Sequence, residues 1–488
     1  MNAVGLAMLL VLGVTIVATG LPVWALLVGV AGAFAATGLA AGTFDAGILS
    51  ALGPRIVNLL EHDLLQALPL YVFVGVLLQR VAIADALFAS AARLLRRTGA
   101  GTPLAALAVG TLVAPMNGSV ASSSALLGRL VAPRLAGVEP ARAITLVSVA
   151  ATIGVVVPPS LVLILLGDAM LRAHTEASNL PGFTLGTQRI VNTQDILHAA
   201  LLPAAVLLAL WALVAWLRAR PPASTDAAAP VSRMQVFQAA TTALVIVLLL
   251  GGVFVGKLFA VEAAAMGGCL LAVVTLVTRA LDRAQWESVL RDTLALSGAL
   301  FALLVGATTF SLVFRVFGTD KLLAQWVLAS PLPAPATAAA VLLLVALCAW
   351  VLDAFEMIFV IIPIVAPLLI VQLGDAQQVA VLLLLVLQLS FLVPPMGYAV
   401  LMARTRSGLP RVGTGALLRS LSPFMAAQVV VLGLVFAWPR AVHLLDPAVV
   451  AVPADAPVPS EQDVVRQMEE MSRQQEPEAQ PPADAASK

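Results

Sequence analysis

Two Pro-Pro pairs, Pro158-Pro159 and Pro394-Pro395, each interrupt an apolar run otherwise long enough to cross a membrane. Adjacent prolines remove two backbone donors and push the preceding residue out of the helical region, so a helix must unwind there and release carbonyls. Within hydrocarbon such a release is tolerated only where protein or a wet cavity surrounds it. The membrane setting follows from composition: 61% of the 488 residues are hydrophobic and 11% are charged, outside the range of soluble domains. Apolar runs approaching the ~20 residues that span about 30 Å of hydrocarbon recur between charged loops. The expected class is an all-α polytopic membrane protein.

Several functions are excluded at once. A net charge of +1, thinly scattered, builds no basic face for nucleic acid. Cys269 and Cys348 lie inside apolar runs without CxxC spacing and read as small hydrophobes. His62, His174, His198 and His443 are dispersed, so no transition-metal centre and no cofactor is expected. No Lys or Arg precedes the first apolar run, which is followed at once by a second, so it reads as a spanning helix rather than a cleaved signal.

Taken in order, helices are expected over Gly5–Thr19 and Val23–Leu39, an amphipathic arm over Ile48–Gln66, and a helix over Ala67–Gln79. A second amphipathic piece ends at Arg93, Arg96 and Arg97. Residues 103–136 hold two short apolar runs around the polar tip APMNGSVASSS, with Pro115 and Asn117 as the break. Arginines on both flanks describe a re-entrant hairpin; a kinked full span is the alternative. The helix over 144–170 is broken at Gly154 and Pro158-Pro159, a polar insert covers Leu171–Asp195, and a helix runs to Trp216.

Residues 1–217 thus form a first repeat and 218–233 an Ala/Pro/Ser/Thr-rich linker. The second repeat, 234–438, follows the same order. It has a helix pair meeting near Gly251–Glu262, an arm around Arg279–Arg291 and a helix over Leu296–Val316. A hairpin over 334–372, a broken helix over 377–404 and a last helix over Ala416–Trp438 complete it. LVAPRL (Leu130–Leu135) answers IVAPLL (Ile364–Leu369), and VVPPS (Val156–Ser160) answers LVPPM (Leu392–Met396). Ser119 precedes Pro133 by fourteen positions, as Asp353 precedes Pro367. With five crossings and one hairpin per half, the arginine clusters fall on one side, which should be cytoplasmic. An odd number of crossings makes the repeats inverted and places both termini outside. The tail over 439–488, acidic and rich in Pro, lacks the apolar content for a core and is expected to be disordered.

Inverted repeats with broken helices belong to secondary transporters, whose substrate and ion sites lie where the breaks meet. Oxygen ligands suit a hard monovalent cation. The first half offers Asn117, Gly118, Ser119, Ser122, Thr152, Val155 and Pro158; the second offers Asp353, Gln388, Ser390, Val393 and Met396. Ser119, Ser160, Pro159, Asp353, Glu356 and Pro395 are expected near the substrate. An intramembrane carboxylate costs about 2.5–3.5 kcal/mol to insert, so Asp353 should face a cavity and a cationic partner. It could also cap the second hairpin arm. Glu356 either shares that cavity or snorkels, and Ser122, Ser123 and Ser124 suit close helix packing equally well. Gly118-Ser119 raises an intramembrane serine protease, but no histidine lies within an apolar span to serve as base. A channel would show ring symmetry, whereas midplane breaks favour alternating access.

At these residues the chain resembles the large membrane (permease) subunit of tripartite ATP-independent periplasmic (TRAP) transporters. The likeness is carried over residues 4–438 by GLPVWALLVG (Gly20–Gly29), LPLYVFVGVLLQ (Leu68–Gln79), the NGSVASS tip and IGVVVPPSLVLILLGD (Ile153–Asp168). VEAAAMGG (Val261–Gly268), LDAFEMIFVIIPIVAPLL (Leu352–Leu369) and LVPPMGYAV (Leu392–Val400) extend it. The resemblance implies an elevator-type member of the ion-transporter superfamily that imports an organic acid across the bacterial inner membrane with Na⁺. It also implies a small four-helix membrane subunit and a periplasmic solute-binding protein as partners. Its sodium sites map onto Asn117–Ser122 with Thr152–Pro158, and onto Asp353 with Gln388–Met396. LDAFEMIF and LLGD look closer to the branch associated with 2-oxo acids than to the sialic-acid branch. The first tip departs from the family's more Gly/Ser-rich pattern, and the tail is longer than usual. A stand-alone sodium-coupled carboxylate carrier of the same superfamily is the alternative.

Overall fold

The computed structural model describes residues 3–446 except 44, 46, 48, 49, 62, 118, 132–138, 159, 181, 182, 184–191, 220–231, 407, 409 and 411. Among the described residues every regular element is helical. The first half comprises α1 (Ala3–Thr19), α2 (Val23–Ala40), α3 (Leu52–Leu60), α4 (Asp63–Arg80), α5 (Ile83–Leu94), α6 (Gly101–Asn117), α7 (Val120–Val131), α8 (Pro140–Val156), α9 (Leu161–Ala177) and α10 (Thr193–Leu217). The second comprises α11 (Arg233–Phe254), α12 (Ala260–Val277), α13 (Arg283–Val316), α14 (Thr319–Leu328), α15 (Ala334–Ala349), α16 (Ala354–Glu356), α17 (Ile362–Leu373), α18 (Ala376–Phe391), α19 (Tyr398–Arg406) and α20 (Thr414–Ala437). Among the described residues six helices are long and apolar enough to cross a membrane, or up to eight if the bent pairs Ala67–Arg80 with Ile83–Thr98 and Pro140–Val156 with Leu161–Ala177 each make one span. The chain is a multi-pass membrane protein.

Local chemistry sets the boundaries. Pro22 precedes α2 and Pro140 opens α8, where a missing N–H costs nothing. Capping boxes start α10 at Asn192/Asp195, α11 at Ser232/Gln235 and α13 at Asp282/Gln285. Gly374, at φ 72°, closes α17 in a left-handed conformation that a side chain resists.

Several expected boundaries are corrected. Within the arm expected over Ile48–Gln66, Leu52–Leu60 form α3 and Asp63–Gln66 instead begin α4; residues 48, 49 and 62 lie outside the described residues. The second arm and the helix after it form one 34-residue helix, α13, because no Gly or Pro separates Arg291 from Leu296. Pro115 does not end the first hairpin arm. Near a helix end a proline removes one hydrogen bond, and α6 continues to Asn117. The insert expected from Leu171 begins as helix, since α9 runs to Ala177; residues 181, 182 and 184–191 lie outside the described residues. Helix α14 had no counterpart in the sequence reading. Of the tail, 439–446 fold back onto the bundle as a 3₁₀ turn, Pro439–Val442, and a following bend. The rest of the tail and most of the linker lie outside the described residues.

The core sits around two helices that are buried almost all round, α8 and α18, as expected for the centre of a bundle. They pack on each other. Around them contacts come in reciprocal pairs: α6 and α7 pack on α8, and α15 and α17 pack on α18. Across the halves, α9 packs on α17 as α19 packs on α7, and α10 packs on α18 as α20 packs on α8. Farther out, α2 packs on α13 as α12 packs on α4.

Candidate functional site

In the first half, Pro158 ends α8: Val157 turns extended and the chain resumes as α9 at an angle of 41°. Ser160 caps α9, its Oγ accepting from the Leu163 N–H at 3.1 Å, so this hydroxyl is committed to the restart of the helix. Gly154 lets the break meet the hairpin, because a Cβ there would stand 2.5 Å from the Ala114 carbonyl oxygen. Thr152 is fully buried on the same stretch, its hydroxyl donating to the Val149 carbonyl at 2.9 Å. Val155 and Pro158 are buried beside it.

At the first tip, Asn117 closes α6, and Gly118 lies outside the described residues, as does Pro159. The Ser119 carbonyl accepts from the Ser123 N–H at 3.0 Å and starts α7. Ser122, one turn in, accepts from Nε2 of Gln79 on α4. On the same face Arg129 donates to the Gln79 carbonyl and pairs with Asp85. Gln79 therefore holds the hairpin by both its side chain and its backbone.

In the second half, Asp353 and Glu356 form a capping box. Asp353 Oδ1 accepts from the Glu356 N–H and Glu356 Oε2 accepts from the Asp353 N–H, each at 3.0 Å. The capping alternative for Asp353 is thus realised, and Glu356 turns back to the tip. Among the described residues no Lys, Arg or His pairs with Asp353. Beyond Glu356 one π turn, Met357–Ile361, leads into α17, whose Pro363 lacks an N–H to keep the α pattern. From Ala354 to Leu373 this arm has 20 residues and is not half-length, as expected for the hairpin; by length it could cross alone. What ties its tip to the break is Trp350, whose Nε1 donates to the Val393 carbonyl at 2.9 Å. Ser390 is buried and donates to the Val386 carbonyl, while Pro395 and Met396 are exposed.

The two sets of site residues meet. Gln388, on α18 and 1% exposed, donates from Nε2 to the Thr152 carbonyl of α8 at 3.1 Å. This hydrogen bond joins a residue expected in the first site to one expected in the second. Sequence reading missed Gln79, Trp350 and Gln428, the last of which donates to Gln388. A lone glutamine in the apolar run of α20 was the available signal.

The chain's residues 4–441 match the family model described as tripartite ATP-independent periplasmic transporter, DctM component. It belongs to that family. As a DctM-family chain it is a transporter and not an enzyme, which removes the protease reading of Ser119. It is similar to the C4-dicarboxylate TRAP transporter large permease protein DctM of Pseudomonas aeruginosa, with 23% identity over 396 residues, 80% of this chain and 87% of that one. The protein of the same name from Rhodobacter capsulatus is 21% identical over 386 residues, 77% of this chain and 85% of its own. Among solved structures, the Alcanivorax borkumensis YdaH transporter shares the fold. Its TM-score is 0.56 at 18% identity, over 81% of this chain and 90% of that chain.

Proposed function

We propose that this chain is the permease of a sodium-driven, binding-protein-dependent importer of a small organic acid in the bacterial inner membrane. The observation that carries the reading is the reciprocal packing of hairpins and broken helices across the halves, centred on the Gln388–Thr152 hydrogen bond. Such pairing is what two inverted repeats about a pseudo-two-fold axis produce. Hairpin α6–α7 with α8–α9 and hairpin α15–α17 with α18–α19 form the moving block of an elevator. Helices α2, α4, α12 and α13 form the frame, and both termini face the periplasm.

Sodium is carried at Asn117, Gly118, Ser119, Ser122, Thr152, Val155 and Pro158 in one half, and at Asp353, Gln388, Ser390, Val393 and Met396 in the other. The donor chemistry suits the ion: hydroxyls that donate their proton to helix carbonyls, as Thr152 and Ser390 do, keep lone pairs for a cation. Ser119, Ser160, Pro159, Glu356 and Pro395 border the substrate path. The similar proteins named for C4-dicarboxylates support a carboxylate cargo, and the LDAFEMIF segment favours a 2-oxo acid. A small membrane subunit and a periplasmic binding protein complete the system.

Uptake of labelled succinate and labelled pyruvate into proteoliposomes under an inward sodium gradient, against potassium, tests this. Uptake that needs sodium and an added binding protein is expected. Equal uptake in potassium removes the coupling ion. Full uptake by the chain alone supports the stand-alone carrier.

A further inference from the structure

Gln428 sits in the middle of α20 with no exposed surface and is used by none of the ion sites above. Its Nε2 donates to the Leu385 carbonyl at 3.1 Å and to Gln388 Oε1 at 2.9 Å. Gln388 in turn donates to the Thr152 carbonyl at 3.1 Å. Backbone carbonyls only accept, and each glutamine has one accepting and one donating end. The carbonyls at the two ends of this chain therefore fix the direction of both amides. Turning Gln428 over would set its oxygen against the Leu385 and Gln388 oxygens. Its own Oε1 is buried without a partner among the described residues. A buried unpaired acceptor carries a cost, so the side chain is held for what its nitrogen does.

We propose that Gln428 is a positioning residue: it anchors the Gln388 amide from α20 so that Gln388 bridges α18 to α8 at Thr152, and thereby sets the geometry of the carbonyls released at the two breaks. Its effect on sodium follows from the ion-site reading above, whereas the bridge itself stands on the hydrogen bonds alone. Gln428 touches no ion in this arrangement. It acts through Gln388 only.

Two measurements on the full chain in detergent decide this. The first is a double-mutant cycle on thermal unfolding in choline chloride, with Gln388→Met, Gln428→Met and the pair. Losing one partner orphans a buried amide and losing both does not, so the double variant is expected to melt well above the additive value. Additive shifts overturn the bridge. The second reads the half-saturating concentration of sodium chloride for thermal stabilisation. Gln428→Met is expected to raise it by roughly tenfold, the scale of one lost buried hydrogen bond. Gln428→Glu, whose protonated acid can donate to Gln388 and whose carboxylate cannot, should show near-native sodium response at low pH and lose it at high pH. A merely space-filling residue gives no such pH profile, and a flat profile overturns the positioning role. If the native chain shows no sodium stabilisation, the ion-site reading falls while the cycle still decides the bridge.

Discussion

Asp353 both caps a helix and carries a charge, and two substitutions separate those jobs. Asn keeps an oxygen for the Glu356 N–H but not the charge; Ala removes both. Asp353→Ala should cost about 0.5–2 kcal/mol of stability through the lost cap, with Asp353→Asn close to native in melting. Sodium-dependent uptake should be lost in Asp353→Ala and should need far more sodium in Asp353→Asn; a native sodium requirement in Asp353→Asn would reduce the residue to a cap. Gly154→Ala drives a methyl to 2.5 Å from the Ala114 carbonyl; overpacking of about 1–3 kcal/mol is expected, read as a lowered melting temperature. These positions were legible because charge or glycine inside an apolar run is conspicuous. Gln79, Trp350 and Gln428 were not, since their partners lie 43, 43 and 40 positions away and nothing local marks such a pairing.

At the scale of elements, the breaks were readable because Pro acts on its own backbone. Continuity was harder: the change from polar to apolar pattern along α13 looked like two pieces. The ten residues of α14 escaped because Asp320, Lys321 and Gln325 dilute its apolar pattern. One joint between elements has a pH dependence of defined sign. His443, after the last helix, places Nε2 at 2.6 Å from Asp375, the cap of α18, and Nδ1 at 2.9 Å from Asp446. Burial disfavours the imidazolium, but hydrogen bonds to Asp375 and Asp446 and their negative charges outweigh it and raise the group above its ordinary value. A raised folded value means the stabilisation is present below the unfolded value of about 6.5 and is lost as pH climbs through the folded one. Melting of native chain and His443→Ala, followed from pH 5 to 9, should differ most at the acid end and converge at the alkaline end.

For the whole molecule, the order of tip, VAP and VPP in each half pointed to a repeat, yet it could not show which helices pack together across the halves. In the proposed elevator, block and frame are joined where Ser122 meets Gln79 and where Glu176 of α9 pairs with Arg315 of α13. An elevator stroke must part these contacts. Cysteines at 79 and 122 joined by a short thiol cross-linker should stop uptake, and reversal of the link should restore it. Undiminished uptake in the linked protein would mean that the hairpin does not leave α4.

The proposed function rests on a sodium site in each half, the two set around the contact of α8 with α18. Its most direct test is the sodium activation curve of uptake in proteoliposomes for the native chain, Ser122→Ala and Asp353→Asn, one substitution in each half. Each variant should require at least about tenfold more sodium for half-maximal uptake, the scale of a lost charge-assisted or buried polar contact. An unchanged sodium requirement in either variant, with the protein folded and inserted, would contradict it.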